Sequence, residues 1–457
     1  MSTNFWSPYT PDARSPWNLL RVVHLHRRAG FAPNWGELQR DLREGPQKSI
    51  ERLLVGKSRM GGVPDNFEAT ATLLRDSAVT SGDPARLKAW WIYRMLFGPD
   101  ALTERLVLMW HNHFATSNLK VEDLDAMREQ NDCFRKLARA SFGELLPAVV
   151  KGKAMLVWLD AAANRKGHPN ENLGRELMEL FALGIGNYTE RDVKDAARAL
   201  TGWSLVEEGG FVERPAQHDA GEKTILGKTG PWKGDDLVRI VLESPATAKR
   251  LAYRLTQQFM GTGFANRAAC EELAAGLRQR KLDVGWGVET ILRSQAFFAD
   301  DNLRQRILCP VDYVVGAVRA LEAIDPPPST LVLAEWLTRL GQDLFYPPNV
   351  GGWAGGRALL DARTIVNRAN FAAALVRGHG VGRSMPLPVR ELAQRYGAGR
   401  TTEELLGFFT RLLFGQEPDE KLRGRINGAL GTGSKVDDQN LQRLLTMLLS
   451  SPEAQVG

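Results

Sequence analysis

The chain has 457 residues, of which 43% are hydrophobic and 25% are charged. This composition excludes a disordered chain, and the length exceeds the size at which a single hydrophobic core usually stops growing. A formal net charge of +6 points to an acidic partner, but the basic residues form no dense run and no nucleic-acid-binding motif accompanies them. We therefore interpret the charge as an ordinary basic surface and do not expect nucleic acid as the partner.

Three cysteines, Cys133, Cys270 and Cys309, lie far apart in the sequence. Their spacing argues against a disulfide framework and against a cysteine-rich zinc site. Residues 1–28 contain no apolar segment of the kind that a secretory signal has, and no stretch has the apolar length of a membrane span. On these grounds we expect a cytoplasmic protein without a transmembrane segment.

Amphipathic helix patterns dominate the chain. Asp83 followed by Pro84 is typical of a helix start, and Thr189 with Asp192 forms a capping-box pattern at another start. Apolar residues at helical spacing predict the other helices. In chain order, the predicted helices begin at Pro84 and at Ala101 and then span 136–150, 170–183, 189–200, 246–260, 271–280, 288–294, 311–323 and 361–377.

The pattern changes between residues 204 and 231, where glycines interrupt short apolar runs. This texture predicts a β-hairpin or an irregular insertion. We therefore predict a mainly α, multi-helix globular protein with a small β-hairpin insertion. Residues 1–330 would form the main helical region, 331–400 would complete it, and 401–457 would form a C-terminal helical lobe.

Two histidines in the segment Trp110–Phe114 stand two residues apart, a spacing that suggests a metal pair. If the helix from Ala101 continues through this segment, however, His113 faces the core and His111 points about 200° away. The two rings converge on one ion only if the backbone there is extended. His111 and His113 are therefore candidate ligands of a divalent metal or, alternatively, a surface residue and a hydrogen-bonded core histidine.

A polar face runs along one predicted helix near the middle of the chain. Glu171, Arg175 and Glu179 stack at a spacing of four residues, and Asn172 and Glu176 lie beside them. By periodicity alone this is a charge ladder on a solvated helix face. The functional alternative is that the face lines a cleft, in which a carboxylate acts as a base or ligand and Arg175 orients it.

Two further groups of residues suggest binding or acid–base chemistry. Arg165 and Lys166 precede the polar helix, as in a phosphate cradle at a helix N-terminus, but the loop lacks the G-K-[ST] ending of a P-loop. In the predicted insertion, His218 and Lys223 flank Asp219. These three side chains could build an acid–base site or, equally, form a turn in which Asp219 caps the backbone.

The loop around Asn349 combines two prolines with two glycines and ends at Trp353. Such a rigid-then-flexible loop is typical of a pocket wall, although a structural role in which Trp353 fills the core is the alternative. The sequence contains no G-x-S-x-G, H-E-x-x-H or Walker A motif that would identify a reaction.

Several of these segments resemble the motifs of a known family and occur in the same order along the chain. The segments are H-L-H-R-R-A-G-F at 24–31, W-H-N-H-F-A-T at 110–116, R-K-G at 165–167, N-E-N at 170–172, R-E-L at 175–177, A-L-T-G-W at 199–203, His218-Asp219 with Lys223, and P-P-N-V-G-G-W at 347–353. Together they resemble the bacterial DUF1800 family from about residue 24 to about residue 371.

The resemblance implies a helical fold but no established reaction and no catalytic residue. Members of that family often occur beside a second family, DUF1501, which resembles the alkaline phosphatase and sulfatase clan. The resemblance therefore implies a DUF1501-type protein as the partner. Because many members are exported, it also makes the periplasm the alternative to a cytoplasmic location. It further favours the meeting of the polar segments in one pocket.

Two hypotheses follow. In the first, the protein is an enzyme that acts on a polar or anionic substrate by hydrolysis or transfer, with a divalent metal as an optional cofactor. His113 or His218 would be the acid–base group, Glu176 or Glu179 a base or ligand, and Arg175 an orienting group. The substrate-binding candidates are Asn112, Arg165, Lys166, Glu171, Asn172, Lys223, Asn349 and Trp353. In the second, the protein is a non-catalytic scaffold or accessory partner whose polar residues form buried networks.

Overall fold

The computed structural model describes residues 5–206, 210–261, 263–399, 401–430 and 437–457. Within these residues the protein is mainly α, with 23 α-helices and four short strands. The predicted fold class is therefore confirmed. Parts of three predicted regions, namely 1–4, 207–209 and 431–436, lie outside the described residues.

The first half of the chain is helical up to the insertion. Its helices are α1 (Leu19–Ala29), α2 (Trp35–Glu44), α3 (Pro46–Leu54), α4 (Phe67–Ser81), α5 (Pro84–Phe97), α6 (Ala101–His113), α7 (Asn118–Val121), α8 (Leu124–Lys136), α9 (Phe142–Val150), α10 (Lys153–Trp158), α11 (Asn172–Glu176) and α12 (Glu190–Ala199). A π-helix, Leu177–Ala182, continues directly from α11.

The insertion contains four strands and is followed by helices again. The strands are β1 (Trp203–Leu205), β2 (Phe211–Glu213), β3 (Lys223–Ile225) and β4 (Lys228–Gly230). The later helices are α13 (Gly234–Glu243), α14 (Pro245–Met260), α15 (Arg267–Gln279), α16 (Val284–Leu292), α17 (Pro310–Ala320), α18 (Thr330–Arg339), α19 (Ala362–Arg377), α20 (Val389–Arg395), α21 (Thr402–Phe414), α22 (Glu420–Leu430) and α23 (Asp438–Ser450). Short 3₁₀ turns occupy Ala161–Ala163, Pro215–Gln217, Asp300–Asn302, Gly356–Leu359, His379–Val381 and Pro452–Gln455.

The insertion consists of two antiparallel pairs, β1 with β2 and β3 with β4. Two carboxylates of α12 hold the second pair against the helical body. Asp195 accepts the backbone N–H of Thr224 at 2.8 Å, and Asp192 accepts that of Leu226 at 2.7 Å. The insertion is thus tied to the helix that precedes it.

Capping explains several helix boundaries. Asp192 also accepts the backbone N–H of Thr189 at 2.8 Å, while the Thr189 hydroxyl accepts that of Asp192 at 3.2 Å. The predicted capping box is therefore confirmed. The predicted helix at 136–150 is wrong in its first part, because Ser141 caps a new helix and the backbone N–H of Phe142 donates to the carbonyl of Leu282 at 2.9 Å.

Helix α6 lies in the centre of the structure, and eleven of its thirteen residues are buried. One of them is a carboxylate, Glu104, which is 3% exposed. It accepts hydrogen bonds from Trp91 at 3.2 Å, from Arg94 at 3.3 Å and from Arg135 at 2.6 Å. These contacts join α6 to α5 and α8. Burial alone would raise the pKa of Glu104, but the two arginines outweigh it and hold that pKa below its usual value.

The C-terminal helices pack on the rest of the chain. The Tyr313 hydroxyl in α17 lies 3.0 Å from the carbonyl oxygen of Leu449 in α23, and Arg27 in α1 donates to the carbonyl of Val456 at 2.7 Å. The division of the chain at residues 330 and 400 remains a prediction. None of the described helices combines the length and apolar character that a bilayer crossing requires.

We predict that Glu104→Gln lowers the free energy of unfolding by about 3–5 kcal/mol, because the substitution removes the buried charge that Arg94 and Arg135 share. Denaturant unfolding followed by circular dichroism measures this change. Glu68→Gln is the matched control, since Glu68 pairs with the same Arg94 but its side chain is 72% exposed. We expect the control to cost less than about 1 kcal/mol. Equal losses in the two variants would contradict the prediction.

Candidate functional site

His113 is the last residue of α6, and its ring is buried. Burial lowers its pKa well below the usual value, and the positive charges of Arg254 and Arg250 lower it further. The ring is therefore neutral at pH 7. Its Nε2 lies 2.9 Å from the carbonyl oxygen of Phe181, so that Nε2–H donates to this backbone oxygen.

His111 is buried on another side of the same helix. Its Nε2 lies 3.0 Å from the side-chain nitrogen of Asn131, and its ring packs against Trp91 and Phe134. Burial, with Arg135 nearby, lowers its pKa well below the usual value. The two histidines thus bind different groups. Among the residues that the structure describes, no group of three or more His, Cys, Asp or Glu side chains is arranged to hold a metal ion.

The polar helix contains a π-turn, which is often found at functional positions. In residues 177–182 the hydrogen bonds lengthen by one residue, and the backbone N–H of Leu183 donates to the carbonyl of Met178 at 2.8 Å. The carbonyl of Leu180 accepts the Arg250 guanidinium at 3.1 and 3.2 Å instead. Side chains from α14 and α6 therefore stabilise the carbonyls that the π-turn leaves free.

The charge ladder on this helix forms ion pairs near the surface. Arg175 pairs with Glu171 at 2.9 Å and with Glu190 of α12 at 2.8 Å. The side-chain nitrogen of Asn172, an exposed residue, donates to Asp160 at 3.2 Å. Because Arg175 is about one-third exposed, these pairs contribute little to stability.

Glu176 and Glu179 lie on the same helix in different surroundings. The Tyr188 hydroxyl donates to Glu179 at 2.6 Å, and burial together with this carboxylate raises the pKa of Tyr188 to about 12. Glu176 is partly buried. Burial, followed by the negative charge of Glu179, raises its pKa above the usual value. A carboxylic acid that keeps its proton longer than usual is suited to general acid catalysis.

The third predicted group lies in the insertion. Nδ1 of His218 is 3.0 Å from the carbonyl oxygen of Thr201, and its buried Nε2 has no partner among the described residues. The buried amine of Lys223 donates to the backbone carbonyls of Asp219 and Gly221. Burial lowers the pKa of Lys223. These contacts are those of a tightly turned backbone.

The Asp219 carboxylate does not contact the lysine amine. It pairs with Arg198 at 2.8 Å, and this hydrogen bond holds the pKa of Asp219 at about 2. In the neighbouring loop, Arg165 and Lys166 are exposed. The backbone N–H of Lys166 donates to the carbonyl of Gln217 at 2.7 Å, which joins this loop to the insertion.

The loop around Asn349 is held to α6 by a single amide. Oδ1 of Asn349 accepts the backbone N–H of Gly351 at 2.8 Å, which closes the turn. Oδ1 of Asn112 accepts the backbone N–H of Trp353 at 2.7 Å. Gly352 has φ +86°, and a Cβ there would lie 2.2 Å from Oδ1 of Asn112. Only glycine allows this close approach.

Asn112 and Trp353 line a cavity of about 290 Å³ between α6, α14, the start of α17 and residues 351–359. We call it the arginine cleft, because Arg105, Arg254 and Arg306 line it as well. A larger surface groove of about 590 Å³ between α9, α13 and α15 contains none of the residues predicted from the sequence.

The arginine cleft is cationic. The described residues of its lining include no aspartate or glutamate, and burial raises the pKa of its Cys309 thiol to about 11, so that the thiol carries no charge at pH 7. Behind the lining, the buried Asp312 pairs with both Arg105 and Arg306. Arg254 has no ion pair with any of the described carboxylates. Burial and the adjacent Arg250 lower its pKa to about 10, so it stays protonated at neutral pH.

Three buried nitrogens of the lining have no hydrogen-bond acceptor among the described residues. They are Nε of Arg254, one terminal guanidinium nitrogen of Arg105, and the amide nitrogen of Gln258. Other arginines of the protein also have a buried Nε without an acceptor among the described residues. Here, however, three such nitrogens surround one cavity, which offers room for a ligand or water. Sequence reasoning missed these residues. The charged residue Arg105, which directly precedes the apolar run of residues 106–110 in α6, was the available signal.

The contacts divide the predicted residues into three groups rather than bringing them into one pocket. Asn112, Trp353 and the Asn349 turn belong to the arginine cleft. His113 and the polar face, with Arg175, Glu176 and Glu179, surround the π-turn. His218, Lys223, Arg165 and Lys166 belong to the insertion and its adjoining loop. The functional roles assigned to them remain predictions.

We predict that acid destabilises the fold partly through its neutral histidines. The pKa values of His24, His111 and His113 are lowered by burial, so below about pH 6.5 the unfolded chain binds protons that the folded chain does not. Each such histidine then lowers the free energy of unfolding by up to about 1.4 kcal/mol per pH unit. This contribution is absent above pH 6.5 and grows as the pH falls.

His111→Phe isolates one contribution. Between pH 6.5 and pH 5.5, its unfolding free energy should fall less steeply than that of the wild type, by up to about 1.4 kcal/mol per pH unit. Urea unfolding at a series of pH values measures both slopes, and the difference between the two proteins at pH 8 gives the reference. Parallel curves throughout would show that His111 is not buried in its neutral form.

Comparison with known proteins was made for the family, for curated proteins and for solved structures. A family model described as "Protein of unknown function (DUF1800)" matches residues 24–456, nearly the whole chain. No curated protein and no solved structure matches it. The match includes every segment that contributes to the arginine cleft, the π-turn and the insertion. The chain therefore belongs to the DUF1800 family.

Proposed function

We propose that the protein binds a small oxyanion, such as a phosphate, a sulfate or a carboxylate, in the arginine cleft. The observation that carries the proposal is the buried Nε of Arg254, which has no acceptor among the described residues and lies at a cavity whose lining has no carboxylate. A guanidinium is the side chain best suited to carboxylate and phosphate geometry.

The energetics favour an anion over water. A buried cation without a counter-charge costs several kcal/mol, and an oxyanion would supply both that charge and the missing acceptors. Arg105 and Arg306 share one carboxylate, Asp312. Their combined charge therefore remains positive, and it adds to that of Arg254. The oxyanion would complete the hydrogen bonds of the cleft.

We predict that the wild-type protein binds phosphate or sulfate, and that Arg254→Gln weakens this binding by at least about tenfold, since charge-assisted hydrogen bonds are lost. Isothermal titration calorimetry at low ionic strength measures the affinity. Arg267→Gln is the matched control, because Arg267 begins the adjacent helix α15 with its side chain 88% exposed. The control should bind as the wild type does. Undetectable binding of phosphate, sulfate and carboxylates by the wild type, or equal affinities in Arg254→Gln and wild type for the anion that binds, would reject the oxyanion site.

The enzymatic interpretation is supported by the raised pKa of Glu176, which suits a general acid in hydrolysis or transfer. A divalent metal stays an optional cofactor of this interpretation. It predicts that Glu176→Gln abolishes hydrolysis of para-nitrophenyl phosphate or sulfate esters while the thermal unfolding midpoint changes little. The control is Glu190→Gln, an exposed carboxylate on the same Arg175. Full activity of Glu176→Gln would remove the catalytic assignment.

The accessory role beside a DUF1501-type protein is the second candidate. It is supported by the bonding of the polar motif residues, since His113 and Arg250 hold backbone carbonyls of the π-turn. On this view the His113→Phe variant loses several kcal/mol of stability, because the buried carbonyl of Phe181 loses its hydrogen-bond partner. Variants that stay stable but lose a ligand favour the binding site instead.

A further inference from the structure

Helices α6 and α14 face each other across the arginine cleft and run in opposite directions. At one end, Arg105 of α6 and Arg306 share Asp312, and Arg306 donates to the carbonyl of Gln258 in α14 at 3.0 Å. At the other end, His113 of α6 and Arg250 of α14 both bind the π-turn. The two helices therefore form two antiparallel walls of the cleft.

The unbonded donors lie at two levels along these walls. One level, which we call inner because it lies beside the buried Asp312, contains Arg105 and Gln258. The other, which we call outer, contains Arg254, which precedes Gln258 by four residues in α14. Four residues of α-helix rise about 6 Å. The backbone positions that carry the donors of the two levels are thus separated by about one helical turn.

Each level has positive charge without a matching carboxylate. At the inner level, Arg105 and Arg306 share a single aspartate. Behind the lining, the buried Arg28 beside Gly261 donates, among the described residues, to the carbonyls of Phe259 at 3.3 Å and Asn302 at 3.2 Å. At the outer level, neither Arg254 nor Arg250 has an ion pair with a described carboxylate. One anionic group cannot compensate both levels.

The size of the cleft agrees with this arrangement. One water molecule needs a cavity volume of about 10–15 Å³. The cleft has a volume of about 290 Å³. This volume approaches the lower end of organic ligand sites, which is about 300 Å³. A single oxyanion would leave much of the cleft empty.

We infer that the ligand of the arginine cleft is a small organic dianion whose two anionic groups lie about one helical turn apart, one group at each level. This inference rests on the proposed oxyanion site and adds its substrate class. The inner group accepts from Arg105 and Gln258, and the outer group accepts from Arg254. The carbon chain between them passes the apolar side chains of Leu108 and Met109, which line the cleft.

The test is a series of unbranched dicarboxylates from malonate to suberate, each compared with the monocarboxylate of the same carbon number by calorimetry. We expect the affinity to pass through a maximum at one chain length, where the dicarboxylate binds at least about tenfold more tightly than its monocarboxylate. An affinity that rises steadily with chain length, or equal affinities of dicarboxylates and monocarboxylates at every length, would overturn the inference.

Gln258→Met provides the second measurement, because it removes one of the two inner donors without breaking a described ion pair. We expect it to reduce the preference for the best dicarboxylate over its monocarboxylate at least about fivefold, since the monocarboxylate can still bind Arg254. The control, Gln279→Met at the exposed end of α15, should keep the wild-type preference. The thermal unfolding midpoint verifies that Gln258→Met is folded. If the folded variant keeps the wild-type preference for the dicarboxylate over its monocarboxylate, the inference of two anion-binding levels is rejected.

The outcomes separate the two proposals. Phosphate binding that Arg254→Gln weakens, together with no preference for any dicarboxylate, retains the oxyanion site and rejects the dianion. Absence of binding by phosphate, sulfate and every carboxylate of the series rejects both. A preference at one chain length that Gln258→Met reduces supports both.

Discussion

The ion pair between Arg105 and Asp312 is the contact on which the middle of the structure depends. Both side chains are 1% exposed, and they join α6 to α17. The pair does not neutralise its surroundings, because Arg306 binds the same carboxylate. Burial raises the pKa of Asp312, but the two arginines outweigh burial and keep it ionised. The contact that holds the helices together therefore also leaves a positive charge beside the cavity.

Helix α6 connects this pair to the rest of the molecule. Several of its polar side chains each bind a different neighbour, so that the helix has one orientation in which these bonds form together. Glu104 turns towards α5 and α8, His113 towards the π-turn, and Asn112 towards the Trp353 loop. Apolar residues alone would tolerate small rotations, whereas hydrogen-bonded groups of fixed geometry do not. The helix thus fixes one wall of the arginine cleft.

Much of the fold and part of the site could be predicted from the sequence. The spacing of apolar residues predicted the helices, and the frequent glycines predicted the insertion. Both patterns are local properties of the sequence. The divergence of His111 and His113 followed from helical geometry. Residues 137–141 were wrongly predicted as helix, because a distant carbonyl binds Phe142. The arginine cleft was missed because its residues come from distant segments between Arg105 and Leu359, and periodicity shows which face of a helix is buried but not which faces meet.

The π-turn changes the direction in which the side chains and carbonyls at the end of the polar helix point, compared with a regular α-helix. Residues 177–182 contain one residue more per turn than the α-helix before them, so every side chain and carbonyl after them is displaced around the axis. Removal of one residue from positions 177–179 would rotate the backbone from Leu180 onward by about 100°. The carbonyls of Leu180 and Phe181 would then turn away from Arg250 and His113. The extra residue is therefore what aligns the end of this helix with both walls of the cleft.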